Sequence, residues 1–169
     1  MIGFLRFVGL FNAAVWFGAT ILLMVSVVPG TSSQDMKDLL GEKNFPYFSV
    51  AIAQVLLVRY YHVFLACSII SFLHVAAEWL YLGKYPQRFW LMVLVVVWVG
   101  GVAQACWIQP KLKQLHRLQF TRAEPRDREA MARGYRLWQG ISKSSNVLLL
   151  AGLSVYFWRL ANPLNRRGS

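Results

Sequence analysis

The stretch Arg59-Tyr-Tyr-His-Val-Phe-Leu-Ala-Cys-Ser-Ile-Ile-Ser-Phe-Leu-His-Val-Ala-Ala-Glu-Trp-Leu-Tyr81 decides how the rest of the chain folds. As a helix it is long enough to cross a hydrocarbon core of roughly 30 Å. Because an ionisable side chain costs about 2.5–3.5 kcal/mol at the bilayer centre, we expect its polar residues to face other helices. Residues three or four apart share a helix face, and this spacing aligns Tyr60, Phe64, Cys67, Ser71, His74, Glu78 and Tyr81 in one polar intramembrane stripe.

The composition indicates a membrane protein. Hydrophobic residues make up 57% of the 169 residues, whereas an average soluble domain has roughly 45–50%. The net charge of +11 fits Lys and Arg side chains that anchor the ends of membrane spans and attract anionic lipid. We therefore expect contact with the lipid bilayer and none with nucleic acid.

Four apolar runs predict four membrane spans in a single integral membrane domain over residues 1–169. We place them at about residues 7–28, 59–82, 89–109 and 142–160. The first run is longer than the apolar region of a signal peptide and is expected to be retained. Pro29-Gly30 and Pro110 are expected to end the first and third spans. The predicted fold is all-α, an antiparallel four-transmembrane-helix bundle.

The two long connections carry further helical patterns. Thr31-Ser-Ser-Gln-Asp35 resembles the start of a short helix through Met36 and Leu40. A continuous second helix from Tyr47 to Leu82 would measure about 54 Å, so we expect a long helix that tilts, kinks near Arg59 or protrudes and packs on something. Residues 111–137 form a basic helical loop between spans three and four.

The basic loops also predict an orientation. By the positive-inside rule the two long loops face the cytoplasm, and both termini lie on the non-cytoplasmic side. The expected location is a bacterial inner membrane or an organellar membrane.

Small and polar residues in the spans predict close helix packing. Gly18, Gly101 and Ala105 allow another backbone to approach, and Asn146 opens the fourth span. Asn12 and Thr20 in the first span are candidates for hydrogen bonds between helices.

The candidate binding residues are three histidines and one interfacial cluster. His74 and Glu78 lie one helical turn apart, so His74 is expected either to hydrogen-bond Glu78 or a neighbouring helix, or to ligate a haem iron or a chlorophyll magnesium. His62 and His116 both lie near the long-loop side, where an intrachain haem or metal site between them is the alternative. The cluster Arg59, Tyr60 and Tyr61 suits an interfacial anchor or a contact to a lipid headgroup or quinone.

Known catalytic and metal-binding motifs are missing from the sequence. It contains no HExxH, GxSxG or Walker motif and no Cys/His spacing typical of zinc. Cys67 and Cys106 both lie in apolar runs, without a CxxC motif. We therefore predict that the protein is not an enzyme and has no catalytic or metal-ligating set.

Short motifs in order along the chain resemble a known family. They are Trp16-Phe-Gly18 with Val27-Val28-Pro29, Arg59-Tyr-Tyr61, Ile108-Gln-Pro-Lys-Leu-Lys113, and Gly140-Ile-Ser142 with Asn146. They resemble the uncharacterised small four-span membrane proteins related to the copper-resistance D membrane domain.

Haem-binding members of the wider group carry a histidine where this chain has Gly9, and nearer relatives often carry one at Gln139. Residues 31–57 look like extra sequence. The resemblance thus implies the four-span fold and does not carry over copper or haem binding.

The sequence thus favours a non-catalytic accessory or structural subunit of a larger membrane complex. It would contact other membrane subunits, as a hetero- or homo-oligomer, and bind no cofactor. The first alternative is an electron-transfer membrane subunit that binds haem, chlorophyll or quinone through His62, His74 or His116. The second is a small transporter that uses Ser71, His74 and Glu78.

Overall fold

The computed structural model describes residues 2–83, 88–121 and 125–162, and every regular element within these ranges is helical. This confirms the all-α prediction. Two π-helical turns, Leu23–Val27 and Gln104–Ile108, join α1 to α2 and α5 to α6. The α-helices are α1 (Ile2–Leu22), α2 (Val28–Gly30), α3 (Gln34–Leu40), α4 (Phe45–Leu82), α5 (Arg88–Ala103), α6 (Gln109–Thr121) and α7 (Pro125–Ala161).

Three segments are long and apolar enough to cross a membrane: Gly3–Gly30, Tyr47–Tyr81 and Arg88–Leu118. Only a third or less of the most apolar part of each is buried inside the protein, as expected if lipid surrounds it. The predicted fourth span, residues 142–160, is helical within α7 but is not among these candidates. Its apolar run is short because Lys143, Ser144, Ser145 and Asn146 precede it and Arg159 interrupts its end.

Each π-helical turn precedes a proline. Pro29 follows the turn Leu23–Val27, and Pro110 follows the turn Gln104–Ile108. Proline lacks an N–H and its ring collides with the carbonyl one turn earlier, so a locally wider turn lets the helix continue. The prediction that Pro110 ends the third helix is therefore wrong, because the chain runs on as α6 to Thr121.

The second helix is long and unbroken. α4 has 38 residues and passes through Arg59 as regular α-helix, so it spans about 57 Å and exceeds the bilayer thickness. It ends at Gly83, whose φ of 61° is left-handed and whose N–H donates to the Trp79 carbonyl at 3.0 Å. Its N-terminal end packs on α6, where the Tyr47 ring stacks on His116.

The short helix predicted in the first long connection is also present. α3 begins after Ser33, whose hydroxyl accepts a hydrogen bond from the Met36 N–H at 3.2 Å. This is a regular N-cap.

The buried core lies where α1, α4, α5 and α7 meet. Trp16 of α1 packs edge-on against Phe64 of α4 with ring centroids 5.0 Å apart. Phe17 of α1 stacks on Phe157 of α7 at 5.6 Å, and Phe72 of α4 meets Trp98 of α5 at 6.1 Å. Aromatic rings of α1, α4 and α7 thus pack in or against one core, to which α5 contributes Leu94 and Val97.

Two glycines allow the closest approaches in this core. A Cβ on Gly101 would overlap the Phe64 ring, and a Cβ on Gly152 would lie 2.7 Å from a Val97 methyl group. Gly18 is different, since it is exposed and nothing lies within 4 Å of where its Cβ would be. Gly18 therefore has no close neighbour among the described residues, whereas Gly101 is approached by a side chain, the Phe64 ring, and not by another backbone. Ala105 is half-buried.

We expect Gly101→Ala to destabilise the protein by about 1–3 kcal/mol, because an overpacked core must shift the Phe64 ring. Gly18→Ala is the matched control and should be neutral or stabilising by up to about 1 kcal/mol, since alanine favours helix. Thermal unfolding in detergent, followed by circular dichroism, measures both. Equal stability of the two variants would contradict this packing.

Candidate functional site

The polar stripe on α4 faces the inside of the protein over most of its length. Ser71 is 1% exposed and His74 is 4% exposed, and Tyr60, Phe64 and Cys67 are also buried. Glu78 is half-buried. Tyr81 is 67% exposed, so its predicted place on the inward face is wrong, because the stripe turns outward near the end of the helix.

The side chains of α1 bind this stripe. Asn12 is buried and its Nδ2 donates to the Cys67 carbonyl and to Ser71 Oγ, each at 2.9 Å. Thr20 Oγ1 lies 2.9 Å from the Tyr60 hydroxyl. The hydrogen bonds between helices predicted for Asn12 and Thr20 are thus present, and they fix the register of α1 against α4.

His74 also binds α1, through the backbone. Its Nε2 donates to the Leu5 carbonyl at 2.9 Å, and the ring fits because Gly9, one turn along, has no side chain. A Cβ on Gly9 would overlap the ring. The predicted bond to a neighbouring helix is therefore confirmed, whereas Nδ1 of His74 is buried without a hydrogen-bond partner in the described part of the chain. Gly9 is also the position where the family resemblance would place a histidine.

Tyr156 of α7 completes this group, which we call the Asn12 cluster (Asn12, Ser71, His74 and Tyr156). It is 2% exposed, its hydroxyl lies beside Ser71, and Glu78 and Arg159 are near enough to act on it electrostatically. Sequence reasoning missed Tyr156, because a tyrosine near the end of an apolar run is typical of an interfacial anchor.

A second polar group, the Gln104 cluster (Gln104, Ser142 and Asn146), joins α7 to the π-helical turn after α5. Gln104 is fully buried, and its Nε2 lies 3.0 Å from Ser142 Oγ and 2.9 Å from Asn146 Oδ1. Its Oε1 has no partner among the described residues. This bond connects Asn146 of α7 to the turn that follows α5.

The structure does not bring His62 and His116 together. His62 is exposed, and its Nδ1 binds the Val58 carbonyl of its own helix at 2.7 Å. His116 is buried, and its Nε2 binds the Tyr47 carbonyl at 3.2 Å. Tyr47 precedes His62 on α4 by roughly 22 Å of helix. The two rings are therefore too far apart for the predicted shared site, and no group of three or more metal-ligating side chains occurs in the described ranges.

Arg59, Tyr60 and Tyr61 separate from one another in the fold. Tyr60 belongs to the core, so its prediction as an interfacial anchor is wrong. Tyr61 is half-buried and its hydroxyl accepts from Gln109 Nε2 at 3.5 Å, while Arg59 is exposed. Because successive residues of a helix are rotated by about 100°, Arg59 lies on the surface, Tyr60 in the core and Tyr61 at the boundary between them.

Comparison with protein-family models, curated proteins and solved structures finds no match. The resemblance to proteins related to the copper-resistance D membrane domain therefore stays a prediction.

We expect Asn12→Leu, which keeps the branched shape of the side chain and removes both donors, to destabilise the protein by about 1–2 kcal/mol. The matched control is Ser154→Ala, since the Ser154 hydroxyl binds only the Leu150 carbonyl of its own helix, at 2.8 Å, among the described contacts. Unfolding in mixed micelles gives both free energies. If the two variants lose the same small amount, the Asn12 bonds do not hold α1 in place.

Proposed function

We propose that this protein is a non-catalytic membrane subunit, a four-span antiparallel bundle that serves as an accessory or structural part of a larger membrane complex. One observation carries the proposal: the buried polar side chains of the Asn12 and Gln104 clusters bind other helices of the same chain. They are used to fix the bundle, which is the task of polar groups in a membrane scaffold.

The fourth span is supported by the position of α7 beside α5. Near one end Arg159 lies 5.2 Å from the Trp90 ring, and near the other Ser142 binds Gln104. Trp90 and Gln104 both belong to the candidate span Arg88–Leu118. A helix that accompanies a membrane-crossing helix over this length lies at the same depth, so the apolar half of α7 crosses too.

The outer surface of the bundle suits lipid and neighbouring subunits. Large apolar side chains point outward from every long helix, among them Phe7, Val55, Met92, Val96, Trp107 and Leu148. A partner helix needs no polar pairing on such a surface, since close van der Waals contact suffices in hydrocarbon. We therefore place the binding partners of the subunit on these faces.

One observation favours the haem- or chlorophyll-binding alternative: Nδ1 of His74 is buried and has no hydrogen-bond partner among the residues that the structure describes. The other nitrogen of the ring is occupied by the Leu5 carbonyl, so any axial ligation would use Nδ1. A transporter based on Ser71, His74 and Glu78 has less support, since Ser71 and His74 are both bound to α1.

Reporter fusions at the two termini test the fourth span. An even number of crossings places both termini on the same side of the membrane, so alkaline phosphatase and a fluorescent protein should report one common side for the N- and C-terminal fusions. Opposite sides would mean that α7 does not cross.

The subunit role can be tested by mass spectrometry of the intact assembly, after gentle solubilisation of native membranes. We expect this chain in a stoichiometric complex with other membrane proteins, and no visible absorption band. A homo-oligomer alone would contradict the accessory role.

A Soret or chlorophyll band that disappears in His74→Ala but persists in His62→Ala would establish the ligand-binding alternative.

A further inference from the structure

A cavity of about 110 Å³, lined by both apolar and polar side chains, lies away from the Asn12 cluster, towards the two long connections. Its walls come from α2 and the two residues that follow it in the chain, Thr31 and Ser32, and from the first turns of α4, the start of α6 and the middle of α7. A cavity needs only about 10–15 Å³ to admit one water molecule. This one has room for a group of several heavy atoms.

The cavity lies at one common end of the three candidate spans. Val28 lies near the end of the first span, Ser49 near the start of the second and Leu112 near the end of the third. The three positions meet at one level, where the apolar segments give way to the connecting loops. That level is where phospholipid headgroups lie in a bilayer.

The walls of the cavity offer hydrogen-bond donors and one positive charge. Lys143, which is exposed, is the lining residue that carries the positive charge, and Gln139, Tyr135 and Ser142 are lining residues with neutral polar groups. Burial raises the pKa of the Tyr135 phenol, so the phenol keeps its proton and remains a donor. No lining residue that the structure describes carries a carboxylate.

Gln54 shows which kind of ligand is needed. It lines the cavity, and its Nε2 is buried without an acceptor among the described residues. A buried donor without an acceptor costs about 1–3 kcal/mol, and a ligand oxygen would remove that cost. The site therefore suits a ligand that brings acceptor oxygens and about one negative charge, to match Lys143.

We propose that this cavity binds a phosphate group, held by the Lys143 ammonium and by neutral donors that include Gln54 Nε2 and the Tyr135 hydroxyl. A singly charged phosphodiester fits the single cation of the walls, and phospholipid headgroups supply that group at this level. Free inorganic phosphate has the same chemistry, and the experiment separates the two sources.

The test uses the full-length protein, delipidated in neutral detergent, with Lys143→Gln as the variant. Lys113→Gln is the matched control, because Lys113 is exposed on α6 and does not line the cavity. Phosphatidylglycerol is then added. In native mass spectrometry the wild type should bind one molecule of it, and Lys143→Gln should bind it about tenfold more weakly while Lys113→Gln binds it normally. Gln54→Leu, which keeps every charge, should also weaken binding.

A second arm replaces the lipid by inorganic phosphate and follows thermal stability, which rises with any ligand that binds the folded state. Stabilisation by phosphate that depends on Lys143, without retention of phosphatidylglycerol, would support the site and assign it to the free anion. Equal loss of lipid binding in Lys143→Gln and Lys113→Gln would overturn the proposal, because it would mean general attraction to surface charge. Absence of binding to either ligand in the wild type would overturn it as well.

Discussion

The need to pair polar groups inside hydrocarbon is the constraint on which this structure depends. No water is available there, so a side chain such as Asn12 or Ser71 must find its partner within the protein. The chain meets this need with bonds that cross between helices, from Asn12 to Ser71 and from Gln104 to Asn146. Because each bond requires a definite alignment of two helices, the same groups that would be costly in lipid determine the register of the bundle.

Small residues decide where these bonds can form. Gly9 lets the His74 ring reach the Leu5 carbonyl, and Gly101 admits the Phe64 ring that packs on Trp16. The π-helical turns have a related effect, since the wider turn after α5 starts at Gln104 and directs its amide to α7. Packing, backbone geometry and hydrogen bonding are therefore coupled at the same positions.

The sequence predicted those features that a single helix determines by itself. The spacing of Ser71 and His74 on α4 predicted their burial, because the helical period places them on one face. The Ser33 cap and the long second helix were predicted for the same local reasons.

Features that depend on a second helix could not be predicted from the spacing of residues along one helix. The role of Tyr156 depends on its place beside Ser71, and the burial of Tyr60 depends on its place beside Thr20. Pro110 predicted a helix end because the compensating π-helical turn leaves no distinct sequence pattern.

The central claim is that the polar edge of α4 is turned away from lipid, and photolabelling from within the bilayer tests it most directly. A hydrophobic carbene reagent dissolved in the membrane reacts with side chains that face acyl chains, whatever their chemistry. Mapping of the labelled peptides should find strong labelling at Leu73, which is 64% exposed, and at Ile69, with Ser71 and His74 protected. Labelling of Ser71 and His74 as strong as that of Leu73 would contradict the account.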